Sequence, residues 1–204
     1  MEQIEIYKEI YNKLTNITKK EDIDLILNDI ENLPEKISES IIQFIEGLHK
    51  PYLMPLYFLS LLRITKQTIL IKNDLLKNYN YYFQVYQSLR KKELELITEE
   101  EKELLNEISE TLYRLDEIKS KSEKAIKELL FIIANESKKQ KKFLSPKEMR
   151  TNAYFLFKIN EENYSIIYPH YENLINLFLS MIDERKLQSG LLRLIQRVLR
   201  KEKL

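Results

Sequence analysis

A chain of 204 residues with 33 Lys and Arg against 32 Asp and Glu is long enough to bury a core without covalent staples. Its net charge of +1 excludes a protein that binds polyanions with its whole surface, so any nucleic-acid role must rest on local patches. The absence of cysteine excludes disulfides, thiolate-held zinc, Fe–S clusters and thiol nucleophiles together, and two glycines cannot supply a phosphate-cradling loop.

Met1-Glu2-Gln3-Ile4-Glu5 lacks the basic start and apolar run of a secretory signal. The most apolar stretch, LMPLYFLSLLRITKQTILI, is broken by Pro55, Arg63 and Lys66, which excludes a membrane span there. A soluble, cytoplasmic protein of two compact units at most is expected.

Taken in order, the chain reads as helix after helix. Ile10, Leu14 and Ile17, with Ile6 or Tyr7, share one face of a first amphipathic helix over residues 2–17. Thr18-Lys19-Lys20-Glu21 fits a capping box, in which threonine and glutamate satisfy the first backbone amides of a second helix running to Glu31. Leu33-Pro34 opens a third, whose stripe is Ile37, Ile41, Phe44, Ile45 and Leu48. From Leu56 to Asp74 the pattern predicts a buried helix, although Ile64-Thr65 and Thr68 to Ile71 are β-branched enough for a strand.

The organising stretch is Tyr81 to Glu136, two helices meeting at a capped junction near Thr98. Leu105, Ile108, Leu112, Leu115 and Ile118, then Ala125, Ile126, Leu129 and Ile133, fall at steps that stack along one helical stripe. The opposite face is charged, with Glu110 and Arg114, and Glu123 and Lys127, spaced for helix-surface ion pairs.

After residue 137 the composition changes. KKQKKFLSPKEMR, residues 138–150, holds six basic residues against one acidic one and reads as a basic linker. Ala153 to Ile159 and Tyr164 to Tyr168 are short, β-branched and aromatic, and predict a β-hairpin over 153–168. Helices over Tyr171 to Glu184 and Leu187 to Lys201 would cover that ribbon. The expected fold is therefore mainly α: an N-terminal helical bundle over 1–137, the linker, and a small C-terminal α+β unit over 151–204.

The glutamates at 99, 100, 101, 103 and 107 suit a hard cation, but acidic residues behind a threonine cap are also what a helix start favours. No HExxH or Glu-x-x-His pair is present, His49 and His170 read as loop or interface residues, and no cofactor and no catalytic residue is expected. Two basic patches suit phosphate binding: Lys138, Lys139, Lys141 and Lys142 in the linker, and Arg193, Arg197 and Arg200 at helical spacing in the last helix. Tyr82 and Tyr86, in a tyrosine-rich helix start without dense arginine, read as protein-interface anchors.

Leu33-Pro34 before an aliphatic helix, Arg90-Lys91-Lys92, and then Ile97-Thr98-Glu99-Glu100-Glu101 into a long helix resemble, over most of the chain, the archaeal GINS replication subunits whose helical domain comes first. The pattern departs from that family at Pro34, which lacks the usual aromatic run after it. The resemblance implies a non-catalytic scaffold, packed against another GINS subunit and joining the MCM helicase to a RecJ/Cdc45-like protein. Leu105, Ile108, Leu112 and Leu115, with Tyr82 and Tyr86, are the expected interface. The alternative is a nucleic-acid-binding helical module, such as a CRISPR effector small subunit, contacting DNA or RNA through the basic patches.

Overall fold

The computed structural model describes residues 9–10, 12–33, 58–141 and 161–202, and the regular structure among them is entirely helical. Residues 9–10 and 12–15 are helical, and a 3-10 turn (Lys20–Ile23) leads into α1 (Asp24–Glu31). Then follow α2 (Phe58–Leu76), α3 (Tyr79–Arg90), α4 (Glu99–Lys141) and α5 (Glu161–Glu202). Two compact units each gather separate stretches of sequence: Met1–Leu70 with Ser122–Leu177, and Ile71–Lys121 with Phe178–Leu204. Helices α2, α4 and α5 contribute to both.

In the first unit, Leu14, Ile23, Ile26 and Ile30 are buried, as are Ile126, Leu129 and Ile133 of α4. Asp24 pairs with Lys127 at 3.0 Å, Lys20 with Glu128 at 3.5 Å, and the Lys138 ammonium donates to the Ile17 carbonyl. Partners rise in number on one strand of the pairing as they fall on the other, so the N-terminal elements run antiparallel to α4. Lys66, itself buried, donates to the Leu33 carbonyl just past the end of α1, where helix acceptors lack partners and a cation suits the dipole.

The β-branched tail of α2 is helical because its hydroxyls are satisfied locally. Thr65 and Thr68, both buried, donate to the carbonyls of Leu61 and Ile64 at 2.8 and 2.7 Å. A strand would leave those hydroxyls to find partners elsewhere.

The second unit is held by α3, the start of α4 and the end of α5. Tyr82, Val85 and Leu89 of α3 are buried, as are Leu104, Ile108 and Leu115 of α4 and Leu191, Ile195 and Val198 of α5. Arg114 pairs with Glu184 at 2.8 Å and Glu100 with Lys201 at 2.7 Å, which sets these segments of α4 and α5 antiparallel. Arg114 thus reaches across to Glu184 while also donating to Thr111 Oγ1 of its own helix at 3.1 Å, and Lys127 reaches across to Asp24.

The junction at Thr98 is the capping box that the sequence predicts. Glu101 N donates to Thr98 Oγ1 at 3.2 Å and Thr98 N to Glu101 Oε2 at 3.1 Å. Lys92 adds a 2.7 Å contact to the same carboxylate. At the earlier box the residues shift by one: Lys19 N donates to Asp22 Oδ2 at 3.4 Å, and the element that follows is a 3-10 turn.

The C-terminal hairpin is a correction. Tyr164 to Tyr168, expected as its second strand, lies inside α5, and the two helices expected after it are one helix through Pro169. Ile167, Tyr171 and Leu174 are each fully buried at helical spacing, and burying three such side chains contributes about 5–9 kcal/mol. That exceeds the roughly 3 kcal/mol that an interior proline costs. Period 3.6 therefore wins over β-propensity. Lys138 to Lys141, expected as linker, form the last turn of α4. The first predicted strand, the rest of the linker and the predicted helix after Pro34 lie outside the described residues.

Two substitutions test these assignments by chemical denaturation. Glu101→Ala removes the reciprocal cap and is expected to cost about 1–2 kcal/mol. Gly190 sits within α5 with open space where a Cβ would lie, so Gly190→Ala is expected to stabilise by about 0.5–1 kcal/mol.

Candidate functional site

The expected interface residues fall in the second unit, and most are enclosed by the chain itself. Tyr82, Ile108 and Leu115 are fully buried and Leu112 nearly so, while Leu105 and Tyr86 are half-buried. The Tyr82 hydroxyl donates to Gln188 Oε1 at 3.1 Å, and Gln188 Nε2 donates to the Leu75 carbonyl at 3.5 Å. Burial, reinforced by the Glu184 charge, pushes the Tyr82 phenol up to about 12 despite an opposing contribution from Asn78. Tyr86 accepts from Arg90 at 3.2 Å, with the guanidinium 5.7 Å from its ring centre.

Large apolar side chains face outward elsewhere. Leu94 and Leu96, between α3 and α4, are 86% and 69% exposed, and Tyr113 is 67% exposed on α4. The signal was present in Glu93-Leu94-Glu95-Leu96: two leucines outside any helical stripe, in a segment too short to form an element that would bury them. In the first unit, Leu25 is 75% exposed beside an open groove of about 360 Å³ lined by Lys13, Asn16, Ile17, Asp22 and Ile26.

The glutamates after Thr98 do not converge. Glu101 points inward to the cap, Glu99 pairs with Lys102 at 2.7 Å and Glu100 with Lys201. The Lys201 hydrogen bond, opposed by slight desolvation, holds the Glu100 carboxyl below the usual range. Among the described residues no group of three or more His, Asp or Glu is placed to hold a metal ion. His170 is half-buried in α5, and His49 lies outside the described residues.

The two basic patches fare differently. Lys138 is half-buried on the Ile17 carbonyl and Lys139 pairs with Glu136 at 2.8 Å. Lys141 is the last residue of α4, and Lys142 lies outside the described residues. These lysines belong to the first unit. Arg193, Arg197 and Arg200 belong to the second, where all three are exposed on one face of α5. Lys186, two turns before Arg193, extends that row; it stands seven residues from the nearest arginine of the stripe, so the sequence does not mark it as part of the patch.

No described helix is long and apolar enough to cross a membrane. Two buried polar groups with structural partners yield predictions. Replacing Arg114 by Met leaves the buried Glu184 carboxylate without its partner and is expected to cost about 2–3 kcal/mol in urea unfolding. For Tyr82 the folded pKa lies above that of the unfolded chain, so its contribution is intact below pH ~10 and declines as pH rises toward 12. Tyr82→Phe is therefore expected to be about 1 kcal/mol less stable at pH 8, with the gap closing between pH ~10 and ~12 in parallel denaturation curves. Compared with family models, with curated proteins and with solved structures, the chain matches none.

Proposed function

We propose that the chain is a non-catalytic subunit of a multiprotein assembly, docking through the apolar residues at the junction between α3 and α4. The carrying observation is Leu94 and Leu96, two aliphatic side chains at 86% and 69% exposure within three residues of each other. A single exposed leucine is ordinary, but adjacent ones in a short connection give a contact that association can cover, at about 25 cal/mol per Å² removed from water. The non-catalytic reading is supported by the buried carboxylates of the second unit, both engaged structurally: Glu101 by the Thr98 cap and Glu184 by Arg114.

Within this reading, the resemblance to archaeal GINS subunits gives the sharper proposal: a replication scaffold between the MCM helicase and a RecJ/Cdc45-like protein, beside another GINS subunit. The capped start of α4 behind Thr98 supports it. The helical state of Tyr164 to Tyr168, where that family would place part of a small β-containing domain, weighs against its C-terminal half.

The test is the solution mass of the purified chain by light scattering, followed by co-purification from its native extract with identification by mass spectrometry. A defined multimer or a stoichiometric protein partner is expected, with replication proteins among the partners if the sharper proposal holds. Leu94→Lys with Leu96→Lys should abolish the association while shifting stability by less than about 0.5 kcal/mol. A monomer without partners, or association unchanged in the double variant, would remove the reading.

A further inference from the structure

We infer that the outer face of the C-terminal half of α5 binds the phosphate backbone of a nucleic acid, using Lys186, Arg193, Arg197 and Arg200 around Gly190. At 100° per residue these four cations fall within an arc of about 60°, and at 1.5 Å rise per residue they span about 21 Å. All four are exposed, on the side of the helix opposite the buried Glu184, Gln188, Leu191, Ile195 and Val198.

The face is unusual in what it lacks. From Arg185 to Lys201 there are six basic residues and no acidic one. The flanking two are engaged, Arg185 with Asp74 at 3.5 Å and Lys201 with Glu100 at 2.7 Å. The four in the row make no ion pair among the described residues. Glu100, whose charge is felt by Arg197, is already held by Lys201. Four like charges along about 21 Å repel one another, and a polyanion is what relieves that repulsion.

The same face argues against an acidic protein as the occupant. Protein interfaces are anchored by buried aromatic and aliphatic side chains. Of the exposed residues between these cations, Ser189, Gly190 and Gln196 are polar or lack a side chain, and Leu187, 57% exposed, lies about 80° round the helix from the nearest cation, so the row itself holds no apolar anchor. A phosphate backbone needs none, because counterion release and charge-assisted hydrogen bonds supply the affinity, and the guanidinium fork matches phosphate oxygens in pairs. Gly190 adds an independent observation. A Cβ there would meet nothing, and alanine would suit the helix better, so packing within the chain gives no reason for glycine. A side-chain-free position between Lys186 and Arg193 does let a phosphate approach the helix between the ammonium and the first guanidinium group.

The experiment is fluorescence anisotropy of the full chain with a labelled duplex DNA of arbitrary sequence and with a labelled single-stranded RNA, titrated across salt. Neutralising four phosphates predicts, for the duplex, a slope of log affinity on log salt near −3.6, or roughly a 100-fold loss between 50 and 200 mM. Arg193→Ala with Arg197→Ala should flatten that slope by about 2 with helicity unchanged by circular dichroism, and Lys186→Ala with Arg200→Ala should do the same from the other end of the row. Gly190→Leu should weaken binding without unfolding the helix. A preference between duplex and single strand identifies which phosphate backbone is read. The inference is overturned if neither probe binds at 50 mM salt, if both double variants keep the parent's slope, or if polyglutamate competes as well as nucleic acid does.

Discussion

One constraint governs the described structure: α4 is 43 residues long, about 65 Å of helix, and its apolar stripe must be covered from end to end. A helix of this length gains most of its stability from such burial, not from intrinsic propensity. The stripe is served by two different sets of partners, the N-terminal elements beyond Ser122 and the end of α5 before Lys121. Ile118, half-buried, and Ser122, buried but polar, mark the place where one set gives way to the other.

The antiparallel register of each set is written in its charges. Asp24 with Lys127 and Lys20 with Glu128 align the first unit, and Glu100 with Lys201 and Arg114 with Glu184 align the second. Most of these pairs are half-exposed and add little energy, so burial supplies the stability and the charges supply the direction. Arg114 with Glu184 differs, because the carboxylate is enclosed and an unmatched register would strand it. Tyr82, Gln188 and the Leu75 carbonyl repeat the point with neutral groups, since their geometry is met at one offset of α5 only.

What these constraints leave over is informative about function. The second unit carries both leftover features: two leucines at the α3–α4 junction that no described helix covers, and a row of cations on α5 that no described acid matches. One surface suits an apolar protein partner and the other an anionic backbone. The protein contact and the nucleic-acid contact proposed above therefore draw on different residues.

Helical class, the start of α4 at Thr98 and its stripe were legible because each rests on local chemistry: period 3.6, and a threonine with a glutamate three residues on. The exposure of Leu94 and Leu96 was also latent in a segment too short to bury them. Sequence went astray where local preference and tertiary burial disagree. Tyr164 to Tyr168 has strand-like composition, yet the enclosure of Ile167 and Tyr171 holds it in α5 through Pro169. Likewise the stripe of Ile108, Leu112 and Leu115 is equally consistent with a core or an interface in sequence, and only the presence of α3 and α5 against that half of α4 decides for core. The sequence by itself determined which residues must be hidden on each helix, because that follows from side-chain chemistry and pitch. Which helix hides them, and so which charges remain unmatched, was decided by tertiary structure, since a pairing between residues a hundred positions apart leaves no periodic trace in the chain.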